Sequence, residues 1–231
     1  MLHEMTSQDL DKPKCHCAVF GAFGHASAAQ FTYYGLLAQQ HRGQEGSGIV
    51  TSELDVNTKR YRFHVHKDFG LVTEIYRDEK LLTQTLRGNA AIGHNRYSTS
   101  GGSHDFHSQP VSVRNDTLVL AHNGNLPISD NLLKFLREQG FHTNGLNDSE
   151  LMHQVIRYFL IKTGSLEEAV KRAFPMFKGA FCLLVMTKDK IAAIRDSYGI
   201  RPFSIGKLGG GYVFSSETCA IDTVDGIFIR D

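Results

Sequence analysis

The chain has 231 residues, which is enough to bury the core of one domain, or of one domain and a fragment. Its formal net charge of +1 and pI of about 7.8 give no reason to expect a nucleic-acid or membrane-surface partner, and no apolar run reaches the roughly 18 residues of a membrane span. Cysteines at positions 15, 17, 182 and 219 do not form a disulfide framework, so we expect a soluble protein of the reduced cytoplasm.

The first half of the chain begins with a polar leader. Residues 1–16 contain no apolar segment and carry several acidic side chains, so they are not a secretory signal. The next stretch, CAVFGAF from Cys17, predicts a short buried strand, and an amphipathic helix follows with Ser27 as its N-cap. Further strands are predicted for SGIVTS, YRFHVH, NAAIGHNRYST and DTLVLAHNGN, the last ending in an Asn-Gly-Asn turn.

The second half groups helices before strands. Two helices, SDNLLKFLREQG and DSELMHQVIRYFLIKTG, are each expected to begin at a Ser or Asp cap and to end at Gly140 or Gly164. A third opens with a capping box from Ser165 to Glu168, and strands follow in AFCLLVMT, KIAAIRD, FSIGKL and GYVFSS. Hairpin-like strand pairs and grouped helices, without regular βαβ alternation, favour antiparallel sheets layered with helices.

Several polar clusters interrupt these elements, and each has an ordinary interpretation when taken alone. Arg42 lies in QQHRGQEGSG, which is typical of a loop, and Arg96 follows a strand, where an arginine is more often a surface charge. Asn123 and Gly124 form an Asn-Gly pair typical of a turn, and Asp148 at a helix start is typical of an N-cap. Only their order along the chain, together with an apolar strand headed by cysteine, indicates a site.

The pair Cys15 and Cys17 is compatible with three kinds of chemistry. A metal site with His25 is disfavoured, because structural zinc prefers wider cysteine spacing and a second ligand pair, which the chain lacks. A thiol protease of the papain kind needs a distant His and Asn, and twelve histidines leave that alternative open. In the third, the cysteine becomes the N-terminus, so that its free amine (ordinary pKa about 7.7–8.0) accepts the proton of its own thiol (about 8.5).

The motifs taken together resemble a known family. In order they are CAVFG (17–21), QHRGQEGSGI (40–49), GHNRYST (93–99), AHNGN (121–125), NDSE (147–150), KGAF (178–181), RDSYGIRP (195–202) and SSETCA (215–220). This order, over essentially all of residues 17–231, is similar to that of the glutaminase domain of amidophosphoribosyltransferase. Several of the motifs are shared with other class II glutamine amidotransferases.

The resemblance implies an α+β fold, the four-layer αββα sandwich of N-terminal-nucleophile hydrolases, with two antiparallel sheets between helical layers. In this family a propeptide is removed, so that the cysteine heading C-[GA]-[IV]-x-G becomes the first residue. Cys17, followed by Ala18, fits that pattern, whereas Cys15, followed by His16, does not. We therefore expect residues 1–16 to be a propeptide and residues 17–231 to form the amidotransferase domain.

The resemblance also implies roles by position. Cys17 matches the nucleophile, and the Asn123 side chain and the Gly124 N–H match the oxyanion hole. Arg96 matches the arginine that binds the α-carboxylate of the substrate, and Asp148 matches the carboxylate that binds its α-ammonium group. The remaining expected substrate-binding residues, which lie in motifs of the glutamine pocket, are Tyr97, Thr99 and Arg42.

The implied function is hydrolysis of L-glutamine, with the ammonia used to form 5-phosphoribosylamine from phosphoribosyl pyrophosphate in the first step of de novo purine biosynthesis. Nothing in the sequence resembles the family's phosphoribosyltransferase domain. A free-standing glutaminase subunit and a catalytically silent glutamine-binding regulator therefore remain alternatives. No metal is expected in this chain. Mg²⁺, and in some members an iron–sulfur cluster, belongs with the transferase domain, which is the expected partner in a homo-oligomeric enzyme.

Overall fold

The computed structural model of the protein describes residues 17–97, 109–113 and 117–231. The predicted propeptide, residues 1–16, lies outside that range. Within the range the strands are β1 (Ala18–Phe23), β2 (Gly46–Asp55), β3 (Arg60–Phe69), β4 (Ala90–Arg96), β5 (Leu118–Ile128), β6 (Lys178–Thr187), β7 (Ile191–Arg195), β8 (Ser204–Leu208), β9 (Gly211–Ser215) and β10 (Ile227–Arg230). The helices are α1 (Ala28–Ala38), α2 (Val72–Ile75), α3 (Asp130–Glu138), α4 (Asp148–Thr163), α5 (Leu166–Ala173) and α6 (Thr218–Thr223).

The strands of the described residues form two sheets in which every pairing is antiparallel. The larger sheet has the order β10-β8-β9-β1-β4-β2-β3, and the smaller has the order β5-β6-β7. Helices α1, α2 and α6 cover the outer face of the larger sheet, while α3, α4 and α5 cover the outer face of the smaller one. The fold is therefore a four-layer α+β sandwich, which confirms the fold class predicted from the sequence.

The central strands are apolar on both sides, which allows the two sheets to pack face to face. In β5, Leu118 and Leu120 contact the helical layer, whereas Val119 and Ala121 contact the opposite sheet. Successive side chains of a strand point to opposite faces, so burying both faces requires apolar residues at every position. For this reason residues 118–121 of β5 and residues 181–186 of β6 appear in the sequence as unbroken apolar runs.

Helix α1 lies unusually close to β1, the strand that Cys17 precedes. The Phe20 ring of β1 is fully buried, and a Cβ atom at Gly35 of α1 would lie 2.2 Å from it. A glycine in a helix interior costs about 1 kcal/mol relative to alanine, so its use here has a steric cause. The ring lies directly against the helix backbone, which fixes β1 against α1.

Helix α4 begins one residue away from the cap that the sequence predicts. Its N-cap is Asn147, whose Oδ1 accepts a hydrogen bond from the Glu150 N–H at 2.9 Å, while Glu150 Oε2 accepts one from the Asn147 N–H at 2.9 Å. The extended backbone of Asn147 places its side chain over the first turn. The prediction of Asp148 as N-cap is therefore wrong, and Asp148 is the first helical residue. The predicted end of this helix at Gly164 is confirmed.

Strand β5 continues beyond the position where the sequence predicts a turn. Residues 123–125 pair with residues 182–180 of β6, and the register shifts only later, between Asn125 and Ile128. The predicted Asn-Gly-Asn turn is wrong, because hydrogen bonding to β6 keeps this segment in the sheet. Gly124 nevertheless has a positive φ of 154°.

The sequence does not predict the short elements α2, α6 and β10, nor a π-helical turn over Leu81–Thr85. Ser27 precedes α1 as expected, but its side chain makes no capping hydrogen bond. Ser165 Oγ accepts a hydrogen bond from the Glu168 N–H at 3.4 Å, which is half of the predicted capping box. No helix formed by the described residues is long and apolar enough to cross a membrane.

Candidate active site

Cys17 lies immediately before β1, at one end of the larger sheet. Ala18 pairs with Asn95 of β4, and Arg96 is the next residue of β4, so Cys17 and Arg96 lie at the same end. The side chain of Cys17 is partly exposed, and its Sγ lies 4.0 Å from the carbonyl oxygen of Tyr97. The predicted nucleophile is therefore accessible and lies beside the end of β4.

The main chain of Cys17 is held by Arg42, which lies in the 3₁₀ turn that follows α1. Arg42 Nε donates to the Cys17 carbonyl oxygen at 3.2 Å, and Arg42 Nη1 donates to Glu217 Oε1 at 2.7 Å. Burial acts to raise the pKa of Glu217, but the hydrogen bond and charge of Arg42 outweigh burial and hold that pKa below its usual range. The sequence predicts that Arg42 contacts substrate; the structure places it on the backbone of Cys17.

Asn123 and Gly124 lie side by side in β5, on the smaller sheet. Asn123 is buried, and its Nδ2 donates to Ser216 Oγ at 3.3 Å. The same Ser216 oxygen accepts a hydrogen bond from the Val19 N–H, two residues after Cys17, at 3.0 Å. Both sheets therefore meet at Ser216, which places Asn123 beside the start of β1.

Arg96 provides an unused buried donor at this end of the larger sheet. Its Nη1 is inaccessible to solvent and has no hydrogen-bond partner among the described residues. A small cavity is lined by Arg96 together with His94, Ser47 and Gln109, among others. A buried guanidinium nitrogen without a partner is costly unless an anion or another acceptor completes it. This geometry suits the predicted binding of an α-carboxylate.

Asp148 lies at the start of α4, close to the end of β5. Its Oδ2 accepts a hydrogen bond from the Leu126 N–H at 3.2 Å, two residues beyond Gly124, and its Oδ1 accepts one from the Ser149 N–H at 2.8 Å. His122 Nδ1 lies 3.9 Å from Asp148 Oδ2. The carboxylate is thus fixed beside the predicted oxyanion donors, with a quarter of its side chain exposed to receive a cation.

Gln109 connects the two predicted ligands of the amino-acid head group. Its Oε1 accepts a hydrogen bond from the His122 N–H at 2.6 Å, and its Nε2 donates to Ser149 Oγ at 3.2 Å. Gln109 also lines the cavity beside Arg96, so Arg96 on the larger sheet and Asp148 on α4 share one set of neighbours. No sequence motif predicts a role for Gln109, whose contacts arise only in the folded chain.

Two histidines near the site are buried. His94 lies two residues before Arg96 in β4, and His122 lies directly before Asn123 in β5. Burial lowers the pKa of His94 to about 3, and the nearby His122 adds to that effect. Burial also lowers the pKa of His122, although the Asp148 carboxylate opposes it. Both imidazoles are therefore neutral near pH 7, and the positive charges that act on His94 are those of Arg96 and Lys67.

The remaining residues that the sequence singles out are Tyr97, Thr99 and His25. Tyr97 follows β4 directly, has an exposed side chain and contributes its carbonyl to the surroundings of Cys17. Thr99 lies outside the described residues. His25, the third member of the disfavoured metal site, lies beyond the opposite end of β1, where its Nδ1 accepts a hydrogen bond from the Ser27 N–H.

The other described cysteines are distinct from Cys17. Cys182 is fully buried between the sheets, and burial raises the pKa of its thiol to about 12. Burial, followed by the effect of Glu217, raises the pKa of Cys219 on α6. Neither thiol has the environment that favours a thiolate near neutral pH.

The fold agrees with what sequence and structure comparisons find. The family described as "Glutamine amidotransferase domain" matches residues 94–223, which is more than half of the chain. This segment contains Arg96, Asn123, Gly124 and Asp148. The chain therefore belongs to the glutamine amidotransferase domain family.

Its similarity to individual proteins points to one kind of amidotransferase. The chain is 40% identical over 220 residues to amidophosphoribosyltransferase from Bacillus subtilis, covering 93% of this chain and 44% of that protein. It is 39% identical over 219 residues to amidophosphoribosyltransferase from Methanocaldococcus jannaschii, covering 93% and 45%. A solved structure described as the allosteric regulatory enzyme of purine biosynthesis matches with a TM-score of 0.80 at 40% identity, covering 93% of this chain and 44% of that one. The chain thus spans less than half the length of these relatives.

Proposed function

We propose that the protein hydrolyses L-glutamine to glutamate and ammonia, with Cys17 as an N-terminal nucleophile. One observation carries the proposal most directly. Cys17 lies at the same end of the larger sheet as Arg96, whose buried Nη1 has no partner in the described part of the chain. A partly exposed thiol at the same end as a guanidinium nitrogen without a partner suits a substrate that joins an electrophilic carbon to a carboxylate, as glutamine does.

The two ends of the glutamine head group have separate ligands in this proposal. Arg96 binds the α-carboxylate, because a guanidinium offers paired donors to a carboxylate. Asp148 binds the α-ammonium group, because its carboxylate is fixed by the Leu126 and Ser149 amides and remains partly exposed. Arg42 holds the Cys17 carbonyl and so orients the nucleophile, without a need to touch the substrate.

The reaction begins when the free α-amine of Cys17 accepts the thiol proton and the sulfur attacks the carboxamide carbon. The carbonyl oxygen becomes an oxyanion, to which the Asn123 side chain and the Gly124 N–H donate hydrogen bonds. The C–N bond then breaks while the protonated amine returns its proton to the leaving nitrogen, so that ammonia departs and a glutamyl thioester remains. Water attacks the thioester with the amine as base, and the released thiolate takes back that proton as glutamate leaves.

This chemistry requires Cys17 to be the first residue, so the proposal includes removal of residues 1–16 as a propeptide. An amine engaged in a peptide bond cannot accept a proton near neutral pH. The experiment compares glutamate release by protein whose mass shows Cys17 at the N-terminus with release by protein that retains residues 1–16. We expect turnover only in the first. Equal turnover by both would contradict the role of the amine.

We further propose that the ammonia serves a phosphoribosyltransferase region and yields 5-phosphoribosylamine for purine synthesis in the cytoplasm, in a homo-oligomeric enzyme. The support is the name shared by the relatives, together with their greater length. Mg²⁺, and any iron–sulfur cluster, would be held by that region in this proposal.

Added phosphoribosyl pyrophosphate tests whether the acceptor site lies within this chain. Protein that begins at Cys17 should release glutamate without forming phosphoribosylamine, and its rate should not respond to phosphoribosyl pyrophosphate. Several-fold stimulation would place the acceptor site within this chain. Glutamine binding without any turnover would favour the silent-regulator alternative.

A further inference from the structure

We propose that Ser216 is a positioning residue that holds the Asn123 carboxamide in the orientation needed to stabilise the oxyanion. This inference rests on the proposed function, because it assumes that Asn123 donates to the oxygen of the attacked carboxamide. No role for Ser216 follows from the sequence motifs, although the residue lies within SSETCA.

The first observation is that Ser216 is fixed to the strand that follows the nucleophile. Its backbone N–H donates to the Val19 carbonyl oxygen at 3.0 Å, and the Val19 N–H donates back to Ser216 Oγ at 3.0 Å. Ser216 is fully buried, so its hydroxyl has no water with which to exchange these contacts. The position of Oγ is therefore determined by β1, two residues from Cys17.

The second observation is that the same oxygen accepts a hydrogen bond from Asn123 Nδ2 at 3.3 Å. A side-chain amide nitrogen carries two hydrogens, so one engaged by Ser216 leaves the other for the substrate. If the amide were rotated by half a turn, its oxygen would replace the donor and would repel a developing oxyanion. In the structure Oγ accepts from Nδ2, and this arrangement leaves an N–H, rather than an oxygen, for the reacting carbonyl.

These two observations together give Ser216 a specific place in the site. Asn123 belongs to the smaller sheet and Cys17 to the larger one, and the two sheets meet at Ser216 Oγ. The hydroxyl thereby ties the oxyanion donor to the strand of the nucleophile. Oxyanion stabilisation depends on donors placed before charge develops, so loss of this link should slow the chemical step more than it weakens binding.

The test is the glutaminase kinetics of Ser216→Ala, measured on protein that begins at Cys17. We expect kcat to fall about tenfold, the scale associated with losing one buried hydrogen bond, and KM for glutamine to stay within about twofold. Asn123→Ala should lower kcat by about 10²–10³-fold. In the double variant, Ser216→Ala should add less than about twofold to the effect of Asn123→Ala, because it acts through that side chain.

Ser52→Ala is the matched control. Ser52 is also a fully buried serine of the larger sheet whose hydroxyl bridges to the smaller one, donating to the Lys188 carbonyl oxygen at 2.7 Å. It lies toward the opposite end of the sandwich, so Ser52→Ala should lower the thermal midpoint about as much as Ser216→Ala while leaving kcat within about twofold. If Ser216→Ala does not fold, Ser216→Cys keeps a weaker acceptor of similar size, and its kcat should still fall several-fold.

The outcomes separate this inference from the proposed function. An unchanged kcat in Ser216→Ala or Ser216→Cys, alongside a slow Asn123→Ala, would overturn the role of Ser216 alone. Multiplicative losses in the double variant would also overturn it, since Ser216 would then act independently of Asn123. An inactive wild type, or an Asn123→Ala variant with full activity, would overturn both proposals.

Discussion

The two ends of the interface between the sheets differ in whether their polar side chains are buried or exposed. At the end near Cys17 several polar side chains are buried, and they include His94, Asn95, His122, Asn123 and Ser216. Those of Asn95, His122 and Asn123 are bonded to main chain or to other side chains. At the opposite end an open cleft of about 1360 Å³ is lined by exposed side chains, including Lys59, Arg60, Arg62, Lys188 and Lys190. The first end keeps polar atoms away from water, and the second leaves them in it.

This difference indicates where polar groups have been placed for chemistry. A buried polar atom costs free energy unless it is bonded, whereas an exposed lysine costs almost nothing. The end near Cys17 retains several such atoms, including Arg96 Nη1 and His94 Nε2, without partners among the described residues. We expect substitutions of the buried groups at this end to affect both activity and stability, and substitution of the partly exposed Cys17 to affect activity alone.

The largest expected effect is that of Cys17→Ala, which removes the nucleophile. Glutamate release should fall by more than about 10³-fold, while the thermal midpoint stays close to that of the wild type because the side chain is partly exposed. Cys219→Ser, on exposed α6, is the control and should retain activity within about twofold. Residual turnover of a few per cent in purified Cys17→Ala would assign the chemistry to another residue.

The second effect concerns recognition of the substrate carboxylate by Arg96. Arg96→Ala should lower kcat/KM for glutamine by about 10²–10³-fold, which is the scale of losing a charged hydrogen-bond partner. The sharper measurement uses 4-aminobutanamide, which lacks the α-carboxylate. Wild type should discriminate strongly against this analogue and Arg96→Ala should not. Equal discrimination by both proteins would remove Arg96 from the substrate site.

The third effect is on stability and concerns Gly124, the predicted backbone donor. Its φ is 154°, and an added Cβ would lie 2.2 Å from the Ala180 carbonyl oxygen of β6. Gly124→Ala should therefore lower the free energy of unfolding by about 2–3 kcal/mol, measured by urea denaturation. Gly145→Ala, where φ is also positive but no atom lies within 4 Å, should cost about 1 kcal/mol. Equal losses of unfolding free energy at the two positions would show that β6 can shift to accommodate a Cβ atom at position 124.

The smallest effect is the pH dependence of stability caused by His94. Burial lowers its pKa to about 3, whereas an unfolded histidine titrates near 6.5, so below about pH 6.5 only the unfolded state gains the proton. The free energy of unfolding should therefore fall by about 1.4 kcal/mol per pH unit between pH 6 and pH 4 on account of this residue. His94→Gln should show a correspondingly shallower slope in urea denaturation across that range. An identical slope would mean that His94 is protonated without unfolding.

The sequence predicts the layers of the fold better than the contacts of the site. Strands β1, β5 and β6 can be predicted from apolar runs, and α4 can be predicted from its caps. These signals come from residues that are close together in the sequence. The pairing of β1 between β4 and β9 joins distant segments and has no local signature. The short elements α6 and β10 likewise depend on tertiary contacts rather than on their own patterns.

The same distinction applies to the site residues. The family motifs select Cys17, Arg96, Asn123 and Asp148. These residues lie far apart along the chain, and the structure brings them to one region. The bond between Arg42 and the Cys17 carbonyl cannot be predicted from residue type, since an arginine in a pocket motif suits a substrate equally well. The hydrogen bonds of Ser216 span 93 and 197 residues, so only the folded sheets reveal them.

The close approach of Gly35 to Phe20 limits how this domain can vary between species. A side chain at position 35 would meet the ring at 2.2 Å, so any replacement would have to be accompanied by a smaller residue at position 20. Intermediate sequences carrying one change alone would pass through a strained or a cavity-containing protein. Lineages should therefore exchange this pair jointly or not at all. The position of β1, the strand that follows Cys17, therefore depends on Gly35 of α1.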